Sequence, residues 1–240
     1  MLHFVTFAST NKYSTSFDRI AKEAADLGIF ENIWVWNEND LDISFRTKHN
    51  EFLQTSAKGY GYWIWKPQVI LQALKKIPEG DILIYADIGC SFNKNGILRI
   101  FEYESLARES SCGIMGFQLT QLEKKFNKMS TVYEVFGEKN EKILNTLQLL
   151  ATCVVIHNVE AAVNFVQEWA DLCVRNQYMY VDDSPSILPN LPEFEDHRHD
   201  QSIFSLLAKK YDMTTIPDET WDWDWWDKYN FPIYASRFRQ

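Results

Sequence analysis

The 240-residue chain has no apolar run approaching the roughly 20 residues that a membrane-spanning helix needs. It has no excess of positive charge either: 24 Lys and Arg face 33 Asp and Glu, a formal net charge of −9. An acidic chain gains nothing from counterion release on a polyanion, which argues against nucleic acid as a partner. Bulk charge gives it no hold on an anionic lipid surface. The start, Met1-Leu2-His3-Phe4-Val5-Thr6-Phe7, lacks the basic segment and long apolar core of a secretory signal and reads as a first strand. Cys90, Cys112, Cys153 and Cys173 are widely spaced, with no CxxC or Cys/His cluster to suggest zinc. Free buried thiols in a reducing compartment are the expectation, hence a cytoplasmic protein. Walker A, GxGxxG, GxSxG and HExxH motifs are missing. So are repeats, low-complexity tracts and linkers, which leaves one domain over 1–240.

Aromatic residues are plentiful, 15 % of the chain with nine Trp, enough both to fill a core and to line a site for ring-shaped ligands. The periodicity alternates between strand and helix. Strands are expected over 2–7, 33–36, 81–86, 112–117, 153–156 and 231–234, and helices over 17–27, 45–57, 96–108, 159–174 and 202–211. Another helix carries Val69, Ile70, Ala73, Leu74 and Ile77 on one face, with Pro67 at its first position. Gly28 suits the residue after a helix end. Residues 120–137 read as a loop with one helix, and 182–192 as a loop. A β-α-β start implies parallel strands. The fold class is therefore α/β, with a mostly parallel central sheet flanked by helices.

In such a sheet ligands bind at the carboxyl ends of the strands. Asp87 falls there, just past the most apolar strand. It either holds Mg²⁺ or Mn²⁺ against a diphosphate, through the oxygen ligands these cations choose, or caps a turn. Gly89 lets backbone approach a bulky ligand. Tyr60-Gly61-Tyr62-Trp63-Ile64-Trp65-Lys66-Pro67 sets four aromatics and a Lys before a helix N-terminus. That is either a nucleotide site or a hydrophobic staple with an exposed Lys. His197-Arg198-His199-Asp200-Gln201-Ser202 precedes an apolar helix. Asp200 or Ser202 is its N-cap, or the segment offers a metal ligand in His199, a base in Asp200 and a phosphate contact in Arg198. Asp182-Asp183 is a weaker candidate of the same type, expected in an exposed loop.

Taken in order, the strand-1 loop, Gly59-Tyr60-Gly61-Tyr62-Trp63-Ile64-Trp65-Lys66-Pro67, Gly80-Asp81-Ile82-Leu83-Ile84-Tyr85-Ala86-Asp87-Ile88-Gly89-Cys90 and Arg198-His199-Asp200-Gln201-Ser202 resemble the GT-A glycosyltransferases, and within them a group of microbial and viral sugar transferases. The resemblance covers nearly the whole chain. It implies a GT-A (Rossmann-like) fold and transfer of a hexosyl or deoxyhexosyl group from a UDP- or TDP-linked sugar to a glycan hydroxyl. It implies donor contacts from Phe7, Ala8, Ser9, Lys66, Asp87, Ile88 and Gly89, with Arg237 near the leaving diphosphate. Asp87 matches the first position of the DxD motif, whereas the last is Gly89, which shifts the implied Mn²⁺ or Mg²⁺ ligands to Asp87 and His199. Asp200-Gln201 resembles the DQ pair beside the reacting sugar carbon, which makes Asp200 the catalytic carboxylate. The basic, aromatic segment 120–136 is expected on the acceptor side. Two rival readings are a sugar nucleotidyltransferase, for which Ala8-Ser9-Thr10-Asn11-Lys12 lacks the glycine-rich phosphate loop, and a non-catalytic carbohydrate-binding protein on a degenerate transferase scaffold. The cluster 221–226 fits a core lid, an acceptor platform or a dimer surface equally.

Overall fold

The computed structural model describes residues 1–221 and 230–236. Its elements, in chain order, are β1 (Leu2–Phe7), α1 (Thr10–Leu27), β2 (Phe30–Trp36), α2 (Ile43–Thr55), the single turn α3 (Gly59–Tyr62), α4 (Trp65–Leu74), β3 (Ile82–Ala86) and β4 (Ser91–Phe92). There follow α5 (Ile97–Glu109), β5 (Ile114–Leu122), α6 (Glu123–Phe126), α7 (Met129–Phe136), α8 (Glu141–Leu144), β6 (Leu147–His157), α9 (Glu160–Val174), α10 (His199–Lys210), β7 (Thr214–Pro217) and β8 (Ile233–Tyr234).

Six strands form one sheet in the order β2-β1-β3-β6-β5-β7. Its pairings are parallel except the two made by β6, which runs against both β3 and β5. The two-residue period of a strand sends alternate side chains to opposite faces. Val5, Phe7, Leu83, Tyr85, Val154 and Ile156 pack under α4, α9 and α10, while Phe4, Ile82, Ile84, Cys153 and Val155 pack against α1 and α5. All five residues of β3 are buried, which explains why its sequence is continuously apolar. The four cysteines are free and buried. Among the described residues no helix is long and apolar enough to cross a membrane.

Several expected boundaries move. Helix α1 starts at Thr10, so the polar loop after β1 shrinks to Ala8-Ser9. Gly28 does close it, at φ +67. Helix α4 starts two residues before Pro67, which takes the third helical position, where its missing N–H is still an unpaired one. Residues 120–137 hold more structure than a loop with one helix: β5 runs on to Leu122, α6 and α7 follow, and Glu123, Phe126, Asn127 and residues 128–132 are buried. Charged side chains gave this stretch a polar look, yet Glu123 and Lys128 are buried and paired inside, while Lys124 and Lys125 pair with Glu193 and Glu195 at the surface. The short strands β4 and β7 have no periodicity of their own and pair only because their neighbours offer edges. The 221–226 cluster lies largely outside the described residues.

The link between α2 and α4 is unusual. Gly59, Tyr60, Gly61, Tyr62 and Trp63 all have positive φ, and Tyr62 and Trp63 donate to the carbonyls four residues back, Lys58 and Gly59. This is a left-handed helical turn. Each L-residue in it costs roughly 1–2 kcal/mol, so tertiary contacts must hold it. Trp65 Nε1 donates to Gly59 O at 3.0 Å, and Gly61 lies against Leu53.

Gly61→Ala should lower the unfolding free energy by about 1–3 kcal/mol, measured by denaturant titration. The backbone is at φ +81 and the new methyl would sit 2.7 Å from Leu53 Cδ2. Gly137→Ala, at φ +72 but facing open space, should cost distinctly less. Equal losses would mean that packing against Leu53 contributes nothing.

Candidate active site

Three segments remote in sequence meet at the carboxyl edge of β3. Tyr85 and Asp87, two residues apart, share a sheet face, and the Tyr85 hydroxyl donates to Asp87 Oδ1 at 2.5 Å. Asp87 N–H donates to Thr152 O and so continues the ladder one step past the strand. The Lys66 ammonium, from the first turn of α4, lies 3.3 Å from Asp87 Oδ1 and 3.1 Å from Asp200 Oδ2, and donates to Ala151 O at 3.2 Å. Asp200 comes from the first turn of α10. Lys66, read from sequence as either a phosphate contact or an exposed residue, is only 3 % exposed. Phe7 packs on Trp65 with ring centroids 4.2 Å apart and walls this turn from the side.

The electrostatics follow from burial. Burial pushes the Asp200 carboxyl up to about 6, the nearby Asp87 charge adds to this, and Lys66 offsets only part. For Lys66, burial alone favours the neutral amine, but the two carboxylates overcome it and the net direction is upward. Above about pH 6 the buried Asp200 is therefore an anion beside the Lys66 cation. Beyond the Lys66 ammonium at 3.1 Å, Asp200 Oδ2 has no hydrogen-bond donor among the described residues despite its burial. Neither Asp200 nor Ser202 caps α10. Arg198 holds the N-cap position, and its N–H donates to Ser202 Oγ at 2.9 Å.

Behind Asp200 runs a polar row. Gln201 Nε2 and Arg198 Nη1 both donate to Gln148 Oε1 at 3.0 Å, and the Arg198 guanidinium lies 3.7 Å over the Phe126 ring. The loop after β3 is latched by Arg19, which donates to Ile88 O and Cys90 O at 2.8 Å. Sequence reasoning missed Arg19, Tyr85 and Gln148. Tyr85 alone carried a signal, its shared strand face with Asp87.

The other expected residues are scattered more widely. Phe7, Ala8 and Ile88 are buried, and Ser9 and Gly89 are partly exposed. Ser236 donates to Gly89 O at 2.8 Å, while Arg237 lies outside the described residues. His199 is turned elsewhere: its Nδ1 donates to Val181 O at 2.8 Å and its Nε2 faces Asp183 at 3.8 Å. Among the described residues no group of three or more His, Cys, Asp or Glu could hold a metal ion. Among the described residues the side-chain contacts of Asp87 all fall on Oδ1, and an open Oδ2 fits the mode in which one carboxylate and phosphate oxygens share a hard cation. A separate cavity of about 330 Å³, lined by Met1, Gly28, Phe30 and Phe101 among others, lies at the opposite edge of the sheet.

No protein-family model and no curated relative matches the sequence. Solved structures do match it in fold. LgtC, as an active-site Gln-to-Glu mutant, is similar at a TM-score of 0.50 and 10 % identity, over 88 % of this chain and 70 % of that one. A glycosyltransferase involved in glycosylation of the major capsid of PBCV-1 gives 0.49 at 10 % identity, over 90 % and 81 %. Mouse xyloside xylosyltransferase 1 gives 0.45 at 11 %, over 98 % and 97 %. The fold likeness rests on LgtC, and the chain has a GT-A glycosyltransferase fold.

Lys66→Met should destabilise the protein by about 3–5 kcal/mol at pH 8, because it leaves the buried Asp200 carboxylate uncompensated beside the partly exposed Asp87. Part of the loss should return at pH 5, where Asp200 takes up a proton. Denaturant titrations at both pH values check this, and a pH-independent loss would show that the carboxylates do not repel.

Proposed function

We propose that the chain is a glycosyltransferase that moves a hexosyl or deoxyhexosyl group from a UDP- or TDP-linked sugar to a glycan hydroxyl in polysaccharide or glycan synthesis. The observation that carries this reading is the buried Lys66 between Asp87 and Asp200, at the sheet edge where such folds bind ligand. Rupture of the glycosidic bond sends its electron pair to a diphosphate oxygen, where negative charge gathers. The fixed ammonium of Lys66, in a site of low dielectric, favours that charge beyond contact distance. Arg237 is proposed for the same task. Asp87 Oδ2 would hold a Mn²⁺ or Mg²⁺ ion together with the diphosphate, and such an ion would supply further positive charge to the leaving group. Asp200, on the other side of Lys66 from Asp87, is the carboxylate assigned to the positive charge developing at the sugar carbon, as stabiliser or base. Gln201, its neighbour, is held through Gln148 and Arg198 and keeps the first turn of α10 in register. Donor contacts are assigned to the residue 7–9 turn and to Ile88 and Gly89.

Calorimetry with UDP, UDP-glucose, TDP-rhamnose, GDP-mannose and CMP-sialic acid tests the donor site. One nucleoside diphosphate class should bind, with affinity falling on the order of tenfold in Asp87→Ala. Loss of binding in EDTA would place the cation at Asp87, and unchanged binding would leave the work to Lys66. No binding to any nucleotide would sink the reading.

The pH profile tests Asp200. Its carboxyl is raised to about 6, so the required anion is lost as pH falls through that value. Transfer should therefore rise from about pH 5 and level off above about pH 7. A flat profile over that range would remove Asp200 from the chemistry.

A further inference from the structure

The loop at residues 179–184 is built to an unusual degree. Lys128, itself 3 % exposed, donates to Met179 O at 2.5 Å, Asp182 O at 3.0 Å and Ser184 O at 3.1 Å. His197 Nε2 donates to Tyr180 O and His199 Nδ1 to Val181 O, both at 2.8 Å. Five carbonyls thus turn inward onto buried donors, while the Asp183 side chain turns outward and is 40 % exposed. Its Oδ1 takes Lys58 Nζ at 3.1 Å and its Oδ2 the Tyr62 hydroxyl at 2.9 Å. Strained backbone converges on this place. Seven of the ten non-glycine residues with positive φ among those described are Tyr60, Tyr62, Trp63, Asn176, Gln177, Tyr178 and His199. Their rings form a chain in which Tyr178 stacks on Phe52, Phe52 meets Tyr62, and Tyr62 and Trp63 meet His199. Strain of this kind persists where surrounding structure over-determines it, and such places are enriched in ligand sites.

The His199 ring is oriented by its bond to Val181. A carbonyl only accepts, so Nδ1 carries the proton and Nε2 of the neutral ring presents a lone pair. Among the described residues Nε2 has no hydrogen-bond partner, and the group facing it is another acceptor, Asp183 Oδ1, at 3.8 Å. Two acceptors facing one another call for donors from outside. A divalent cation is disfavoured because the Lys58 ammonium already sits on that same carboxylate oxygen. Neutral hydroxyls meet no such opposition, and each Asp183 oxygen, with one donor so far, has room for another. One O–H serves only one acceptor, whereas two hydroxyls on adjacent carbons of a sugar ring bring two donors at comparable spacing.

We propose that Asp183 and His199 Nε2 form an acceptor-sugar subsite that binds a vicinal diol through two O–H donors. This rests on the transferase reading and names its acceptor chemistry. The subsite is tied to the reacting groups through the chain, since His199 immediately precedes Asp200 and Tyr62 lies one turn before Lys66. It also leaves His199 out of any metal shell.

The test is saturation-transfer NMR on the full chain with UDP present. The probes are the methyl β-glycopyranosides of glucose, galactose, xylose and mannose and methyl α-rhamnopyranoside. At least one should bind, and its affinity should fall on the order of tenfold in Asp183→Asn and in His199→Gln, while UDP affinity stays within about twofold. Retained UDP affinity also reports that each variant is folded. On the wild type, monodeoxy versions of the bound glycoside should lose binding when either of two adjacent hydroxyls is removed and keep it when another is removed. Sugar binding without UDP binding would support the subsite and defeat the transferase reading. UDP binding with no glycoside bound, or glycoside binding indifferent to both variants, would overturn the subsite. So would Mn²⁺ binding, in the absence of sugar, that is lost in Asp183→Asn.

Discussion

A single ammonium group holds the carboxyl edge of this sheet together. Lys66 belongs to α4, Asp87 to the end of β3, Ala151 to β6 and Asp200 to α10, and all three partners lie within 3.3 Å of one nitrogen. Without that charge, the buried Asp200 would stand uncompensated beside the partly exposed Asp87, and the Asp200 carboxyl, already raised to about 6, would be driven further toward its neutral form. Helices α4 and α9 and the face of β6 must then pack so that the side chain reaches inward rather than out to water. Pro67 helps, since a proline in the first turn removes no bond and fixes the direction in which the helix leaves the strained turn. The ion pair is weak evidence for stability, because desolvation opposes it. Its value lies in fixing where two carboxylates stand.

Much of this was legible from the chain alone, and the reason is local. Residues 82–86 of β3 are apolar throughout because both faces are covered, so the strand and the carboxylate at its end declared themselves. Lys66, Asp87 and Asp200 could each be singled out from their own surroundings, and the fold brings the three together. Their relation could not be read. Nothing near Lys66 says that it is buried, and nothing near Asp200 says that it faces Lys66 rather than capping its helix. The polar stretch after Leu122 misled for the same reason. Glu123 is fully buried against Lys209 and Ser205, partners more than 80 residues away. The left-handed turn was legible only as two glycines, because Tyr60, Tyr62 and Trp63 adopt positive φ through tertiary contact and not by preference.

The strained turn and the residue 179–184 loop do related work by opposite means. The turn stores conformational cost in Tyr60, Tyr62 and Trp63, held by Leu53 and by the Trp65 indole. The loop is held by satisfaction: its carbonyls meet an ammonium and two imidazoles, as carbonyls converge on a bound cation. Because that cation is a lysine, it cannot dissociate. Together they bring an aromatic wall and a carboxylate to within contact of the helix that carries Asp200.

The reversed direction of β6 bears on how the molecule assembles. Strands β2, β1 and β3 come from the first 86 residues and pair in parallel through helical crossovers, so this half of the sheet can form early as the chain emerges. The β5–β6 pairing is also local, a hairpin with helices in its loop. The two halves meet only when β6 slots beside β3, and the edge closes only when β7 reaches β5 across about 100 residues of chain, the step most taxed by loop entropy. Asp200 arrives with that last third. Until it does, Asp87 is the one carboxylate beside Lys66, so the ion-paired site needs contributions from both ends of the chain.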